Sequence, residues 1–141
     1  GLIDALRDVV KQGMPYLGVS AGSNVACPTM MTTNDMPIVM PSSYEALGIV
    51  PFQINPHYYP GKITFFSEGE SNDHFGESRR QRISEYHQHE SIPVLGLWEG
   101  SYVEWDGARG RLIGRARAFF RDSEPVEFED GALFDGNLAL E

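Results

Sequence analysis

Six of the nine prolines in this 141-residue chain fall between residues 28 and 60, and they limit what that segment can form. A proline inside a helix removes a backbone hydrogen bond and clashes with the preceding turn, so long helices are excluded here. We therefore expect short strands and ordered loops in this segment, with one short helix near Tyr44–Leu47. The longer regular elements must come from the residues on either side.

The residues before the prolines follow a helix, strand, turn, helix pattern. Apolar side chains at helical spacing predict a helix over residues 1–12 that ends at Gly13, and the apolar run 14–19 predicts a buried strand. Residues 23–26 are interpreted as the first turn of the next helix. This succession favours a single α/β domain. Because a sheet built only from residue 14 onward would be small and poorly covered, we expect a preceding segment to belong to the fold.

The remainder of the chain alternates short elements. Apolar periodicity and turn-forming residues predict a polar loop, an exposed helix, a buried strand and two hairpins. These are placed, in that order, at 61–75, Glu77–His89, Ile92–Trp98, 102–115 and 126–134.

Charge and composition exclude several classes of partner. The chain carries 11 basic and 20 acidic residues, a net charge of -9, so it offers no basic stripe for nucleic acid. No apolar run approaches the roughly 20 residues that span a bilayer, and no signal peptide is recognised, so we expect no membrane partner and a cytoplasmic protein. The single cysteine, Cys27, cannot form an intrachain disulfide.

Gly18-Val19-Ser20-Ala21-Gly22 matches the Gly-x-Ser-x-Gly pattern of a nucleophile on a sharp turn between a strand and a helix. Small neighbours let other backbone pass close to such a turn. The start of the helix leaves N–H groups unpaired, so the Ala21 N–H is the natural oxyanion donor. The pattern alone is weak, because glycine-flanked serines are common.

A serine nucleophile needs a base, and the chain has four histidines. His87 and His89 lie on the predicted polar helix and are interpreted as surface residues, and His74 lies in the polar loop. His57 follows an apolar run and is preceded by Pro56, a rigid position that suits a general base.

Two carboxylates are candidates for the acid that orients the base. Asp35 lies in a polar island, Thr32-Thr33-Asn34-Asp35, between apolar segments, where its neighbours can fix it by hydrogen bonds. Glu99 directly follows the predicted strand Ile92–Trp98. Both residue types are also common in ordinary turns, so the residues alone leave the choice open.

Three stretches carry a family resemblance, at Gly18–Thr29, Thr32–Val39 and Gln53–His57. They resemble the peptidase E family of α-aspartyl dipeptidases, which are serine peptidases grouped with the cyanophycinases. The likeness runs from about the first helix through the strand near Trp98.

The resemblance implies a three-layer α/β fold like that of class I glutamine amidotransferases, with a flavodoxin-like sheet, and cleavage of dipeptides with N-terminal aspartate. It matches Ser20 to the nucleophile, His57 to the base and Asp35 to the triad acid, with Glu99 as the rival acid. It also matches Arg79 to an arginine that binds the aspartyl carboxylate of a small peptide substrate, for which a guanidinium fork is suited. We expect no cofactor and no metal, since no His/Cys cluster has ligand spacing.

The resemblance also implies an N-terminal half of several strands and helices before the nucleophile. Residues 1–141 then correspond to the C-terminal part of the catalytic domain, and we expect them to be inactive without that half. Two alternatives stay open: an isoaspartyl or cyanophycin-type hydrolase with the same triad, and an inactive relative used for binding. Whether the protein forms a homodimer is also left open.

Overall fold

The computed structural model describes residues 1–62, 64–74 and 76–141, and over these ranges the chain forms three helices and nine strands. The helices are α1 (Leu2–Lys11), α2 (Ala21–Ala26) and α3 (Arg79–His89). The strands are β1 (Gln53–Asn55), β2 (Thr64–Ser67), β3 (Glu70–Asp73), β4 (Val94–Leu97), β5 (Tyr102–Trp105), β6 (Arg109–Ile113), β7 (Ala116–Phe119), β8 (Val126–Phe128) and β9 (Leu133–Asp135).

The central sheet is mixed and has the strand order β1-β4-β7-β8. β1 and β4 are parallel, with Ile54 opposite Leu95, and the other two pairs are antiparallel. All four residues of β4 are buried, because both faces of the sheet are covered. The site described below lies where the parallel strands β1 and β4 end.

The two faces of the sheet belong to two apolar clusters. On one face, side chains of β1, β4 and β7 pack with Phe52, Leu112 and Phe134. On the other face, Val94 and Phe119 pack with Tyr58 and with residues of α3. A second sheet, β5-β6-β9, contributes to the first cluster, where Trp105 meets Phe52 edge to face at 5.5 Å between ring centroids. The described residues thus form an α/β structure, as predicted.

Several predicted elements are confirmed. The first helix is α1, the helix before Pro28 is α2, and the strand near Trp98 is β4. The hairpin predicted over 102–115 is formed by β5 and β6, where the Asp106 side chain accepts hydrogen bonds from the N–H groups of Ala108 and Arg109 at 2.8 and 2.7 Å.

The prediction of a buried strand at 14–19 is wrong. This segment pairs with none of the described strands, and the side chains of Leu17 and Val19 are 90% and 75% exposed. A run of apolar residues becomes a strand only where a neighbouring strand pairs with its backbone N–H and carbonyl groups. Among the described residues, no strand lies beside residues 14–19.

Other predictions are also corrected. No helix forms near Tyr44–Leu47, where Glu45 instead makes an isolated bridge to Thr29. The polar loop predicted at 61–75 contains the β2–β3 hairpin, although positions 63 and 75 lie outside the described residues. Strands β8 and β9 were predicted to form one hairpin, but they pair with β7 and β6, respectively, in different sheets. The prediction is wrong because the sequence analysis contained no strand at β7, the partner of β8.

His87 is not a surface residue. It is 9% exposed, and its Nε2 lies 3.2 Å from the Ile92 carbonyl oxygen. Burial lowers the pKa of His87, and the hydrogen bond to Ile92 opposes that effect. His89, two residues further along α3, is exposed as predicted.

Every helix in the described ranges is too short or too polar to cross a membrane.

Helix α1 contains no buried residue, and Arg7 attaches it to the rest of the chain. The Arg7 guanidinium donates hydrogen bonds to the carbonyl oxygens of Leu47 and Ala46, at 2.8 and 2.6 Å, and to the Glu45 carboxylate at 2.6 Å. Hydrogen bonds from a charged donor are stronger than neutral ones, so this one side chain can hold the helix in place.

We predict that Arg7→Met frees α1 while leaving the sheet intact. Hydrogen exchange of the α1 amides should accelerate by about 10-fold or more, because charge-assisted bonds contribute about 1.5–3 kcal/mol each. Lys11→Met on the same helix is the control, and it should leave exchange near the wild-type rate. Equal acceleration in the two variants would show that Arg7 has no special role.

Candidate active site

Ser20 lies on a strained turn at the start of α2. Its backbone has φ 55° and ψ -116°, a conformation that a residue with a Cβ rarely adopts. Such a conformation costs about 1–3 kcal/mol and persists only when the surroundings enforce it. Here the Tyr16 hydroxyl donates to the Gly22 carbonyl at 2.7 Å, and the Gly22 N–H donates to the Val19 carbonyl at 2.9 Å. These bonds hold the turn and direct the serine outward.

The two glycines of the Gly-x-Ser-x-Gly pattern differ in how much space surrounds them. A Cβ at Gly18 would lie 2.4 Å from the Gly22 carbonyl oxygen, which is too close for any side chain. A Cβ at Gly22 would meet nothing nearer than the Tyr16 hydroxyl at 3.9 Å. The turn therefore requires glycine at position 18, whereas within the described residues position 22 has room for a methyl group.

His57 meets Ser20 across the end of the sheet. The residue follows β1 by two positions, and its backbone is also left-handed, at φ 56°. Its Nε2 lies 2.8 Å from the Ser20 Oγ, a distance at which the ring can accept the hydroxyl proton. The structure thus brings together two side chains that are 37 residues apart in sequence.

Glu99 occupies the other side of the imidazole. Its Oε2 lies 2.5 Å from the His57 Nδ1, so the ring is hydrogen-bonded through both nitrogens. Glu99 follows β4, the strand that pairs in parallel with β1, and this pairing places the two strand ends side by side. The Glu99 side chain is 80% exposed, which means that little besides its backbone and immediate neighbours orients it.

Asp35 lies apart from this contact. It makes no hydrogen bond to His57 among the described residues, and its carboxylate lies near Arg79. Both side chains line a small pocket of about 260 Å³ beside Ser20 and His57. Of the two carboxylates that the resemblance offers as partners of His57, Asp35 and its rival Glu99, it is Glu99 that makes the hydrogen bond to Nδ1 in this structure.

Arg79 begins α3, and Ser78 caps that helix by accepting a hydrogen bond from the Gln81 N–H. Partial burial lowers the pKa of Arg79, the nearby Arg82 adds to that effect, and Asp35 opposes it. The residue stays cationic under any ordinary condition. A guanidinium in a small pocket next to Ser20 can bind a carboxylate.

The Ala21 N–H lies at the first position of α2, where an N–H has no partner inside the helix. The described residues provide no backbone acceptor for it. It is therefore free to donate to an oxygen bound beside Ser20.

A polar network fixes the end of β1, and sequence reasoning missed most of it. The Ile54 carbonyl accepts hydrogen bonds from the Asn24 amide and the Thr32 hydroxyl, both at 2.8 Å. The Asn34 amide donates to the Pro56 carbonyl at 2.8 Å, and the Asn55 amide donates to the Asn34 Oδ1 at 2.7 Å. The Thr-Thr-Asn-Asp motif thus supports the backbone that leads to His57. The signal available in the sequence was a cluster of polar residues between apolar segments.

Cys27 belongs to the same support. The Ile54 N–H donates to its Sγ, and the thiol donates to the Ser23 carbonyl, both at 3.2 Å. Burial raises the pKa of the Cys27 thiol to about 12, so it is not a thiolate nucleophile. This agrees with its interpretation as a small buried residue.

Comparison with known proteins assigns the chain. The sequence model described as "Peptidase family S51" matches residues 1–113. The chain belongs to peptidase family S51. The family resemblance stated above is thereby confirmed.

Relatives of this S51 chain carry informative names. A protein named "Peptidase E" from Streptomyces coelicolor is 46% identical over 94% of the chain and 52% of its own length. A "Probable alpha-aspartyl dipeptidase" from Drosophila melanogaster is 44% identical over 83% of the chain and 46% of its own length. A "Peptidase E" from Nostoc is 46% identical over 80% of the chain and 44% of its own length. The chain therefore spans about half the length of these curated relatives.

For this S51 member we predict that the two glycines of the turn respond differently to alanine. Gly18→Ala should lower the free energy of unfolding by about 2 kcal/mol or more, because the added Cβ overlaps the Gly22 carbonyl. Gly22→Ala should be neutral or stabilising, since it gains helix propensity. Urea unfolding of both variants measures the difference, and equal losses would contradict the turn geometry.

Proposed function

We propose that this chain carries the catalytic centre of a serine-type dipeptidase that hydrolyses Asp-X dipeptides through an acyl-enzyme. The observation that carries the proposal is the continuous hydrogen-bonded chain from Ser20 through His57 to Glu99, in a member of peptidase family S51. The names of the relatives supply the substrate class.

The proposed reaction uses the geometry directly. The Ser20 Oγ attacks the peptide carbonyl while His57 Nε2 takes the hydroxyl proton, and the Ala21 N–H donates to the developing oxyanion. His57 then gives the proton to the leaving amine, and water hydrolyses the acyl-enzyme by the same route. The backbone strain at Ser20 and His57 supports this assignment, because strained residues cluster at functional sites.

We propose Glu99 rather than Asp35 as the acid of the triad. The acid must hold the His57 Nδ1–H so that Nε2 is free to accept a proton. The 2.5 Å contact of Glu99 with Nδ1 meets this requirement, whereas Asp35 faces Arg79 in the small pocket.

The small pocket is proposed to bind the N-terminal aspartate of the substrate. Its guanidinium, Arg79, is suited to the aspartyl carboxylate, and it lies beside the proposed nucleophile. Asp35 in the same pocket is available to the α-ammonium group, which an Asp-X dipeptide carries on the same residue as the aspartyl side chain. A pocket of about 260 Å³ suits one residue of substrate.

We also propose that activity needs polypeptide beyond residues 1–141 and that the complete fold is a three-layer sheet of the glutamine amidotransferase type. A groove of about 1100 Å³ runs between α1, residues 13–20 and residues 97–107, and it reaches Ser20 and Glu99. Leu17 and Val19 are exposed in the segment beside it. Added strands beside 14–19 would cover those apolar side chains, and the relatives are about twice as long.

The function is tested by comparing two forms of the protein. One is the 141-residue chain, and the other is this chain joined to the portion of the Streptomyces coelicolor relative that it does not match. We expect the joined form, and not the chain by itself, to hydrolyse Asp-Leu, and Ser20→Ala to abolish that activity.

Three results would contradict parts of this proposal. Robust turnover by the 141-residue chain would show that no further polypeptide is needed. Faster cleavage of β-Asp-Arg than of Asp-Leu would favour the isoaspartyl or cyanophycin-type alternative. Absence of turnover in the joined form, together with failure of a fluorophosphonate to label Ser20, would favour the inactive binding relative.

The triad acid is tested in the joined form with isosteric amides. Glu99→Gln should lower kcat by about 100-fold or more, because the amide favours the wrong imidazole tautomer. Asp35→Asn should act mainly on KM, since it changes the charge of the substrate pocket. A large loss of kcat in Asp35→Asn with little effect of Glu99→Gln would restore Asp35 as the acid.

A further inference from the structure

We propose that Tyr58 and Trp98, with the Arg117 guanidinium packed against them, are positioning residues that hold the His57–Glu99 hydrogen bond in register. This inference rests on the proposed function, since positioning matters only if the pair takes part in a reaction. Tyr58 directly follows His57, and Trp98 directly precedes Glu99. Each member of the hydrogen-bonded pair is therefore attached through the backbone to one member of the aromatic pair.

The aromatic pair is closely packed. The Tyr58 and Trp98 ring centroids are 4.7 Å apart, and Tyr58 is 2% exposed. The Tyr58 N–H also donates to the Leu97 carbonyl at 2.9 Å, so backbone and side chain both join the end of β1 to the end of β4. Space for the Tyr58 ring depends on Gly96, where a Cβ would lie 2.7 Å from the ring.

Arg117 adds a cation to this pair from the neighbouring strand β7. Its guanidinium carbon lies 5.7 Å from the Trp98 ring centroid and 5.9 Å from that of Tyr58. The same guanidinium forms an ion pair with Glu127 on β8. Cation–π contacts of this kind become stronger as they are removed from water. Tyr58, Trp98 and Arg117 therefore connect three adjacent strands, β1, β4 and β7, to the proposed triad.

The need for such support follows from exposure and strain. The side chains of His57 and Glu99 are 45% and 80% exposed, and an exposed pair of this kind contributes little by itself, because holding two side chains in one geometry costs entropy. His57 also has a left-handed backbone, which its surroundings must enforce. The packed neighbours Tyr58 and Trp98 restrict both backbones at the positions next to the reacting groups.

The test compares the two tryptophans of the chain, both half-buried. Trp98→Leu removes the ring next to Glu99, whereas Trp105→Leu removes a ring of similar exposure that packs on Phe52. Chains labelled with ¹⁵N-histidine report the tautomer of His57 by NMR in alkaline buffer, where imidazoles are neutral. His57→Gln identifies the signal.

The wild-type chain should show His57 protonated at Nδ1, as its contact with Glu99 requires. In Trp98→Leu we expect His57 to lose that tautomer preference, and in the joined form we expect kcat and the rate of Ser20 labelling by a fluorophosphonate to fall by about 10–100-fold with KM unchanged. Trp98→Phe should restore most of the tautomer preference and most of the labelling rate. Trp105→Leu should lower thermal stability while leaving the tautomer and labelling rate intact.

Arg117→Met provides a second variant that keeps both rings. It should shift the tautomer and the labelling rate in the same direction as Trp98→Leu, by a smaller amount. The inference is overturned if Trp98→Leu and Arg117→Met both keep the wild-type tautomer and rate, or if Trp105→Leu changes them equally. The NMR readout requires no turnover, so an inactive joined form would count against the proposed function while the tautomer measurement still decides this inference.

Discussion

The site depends on the hydrogen bonds that α2 and the following loop make to the backbone of Ile54. On one side β1 pairs with β4, and on its outer edge the Ile54 carbonyl accepts from Asn24 and Thr32 while its N–H donates to Cys27. Ser20 begins α2, and His57 lies just beyond β1. Because Asn24 of α2 and Cys27, the residue that follows α2, bind the backbone of β1 directly, the nucleophile turn and the histidine are held as one unit. A buried peptide group satisfied in this way is costly to disturb.

This arrangement also protects an edge of the sheet. The outer edge of β1 would otherwise present unpaired N–H and carbonyl groups, which favour unwanted strand pairing. Here a thiol, an amide and a hydroxyl fill the positions that another strand would take. The same contacts bring the small pocket with Asp35 and Arg79 against Ser20, so that the proposed attacking group and the proposed carboxylate-binding group are fixed relative to each other.

Rigid and exposed parts meet at the triad proposed here. Ser20 and His57 have strained backbones over a buried network, whereas Glu99 lies on a turn and is largely exposed. The interactions that hold these parts differ accordingly: hydrogen bonds to backbone support His57 from the side of α2, and aromatic packing joins it to Glu99 from the side of β4. A structure with this division can keep the hydroxyl and imidazole fixed while the carboxylate stays near solvent.

Local patterns in the sequence were sufficient to predict α1, β4 and the β5–β6 hairpin, and also the strained turn at Ser20, because periodicity, turn residues and small neighbours act within a few residues. They were insufficient for residues 14–19, whose apolar run stays exposed without a neighbouring strand, and for β8 and β9, whose partners are distant in sequence. The sequence by itself determined the α/β class, the S51 family and the candidate groups Ser20, His57, Asp35, Glu99 and Arg79. Only the tertiary structure decided which carboxylate contacts His57, because that contact follows from the parallel pairing of β1 with β4, which brings together residues 42 positions apart.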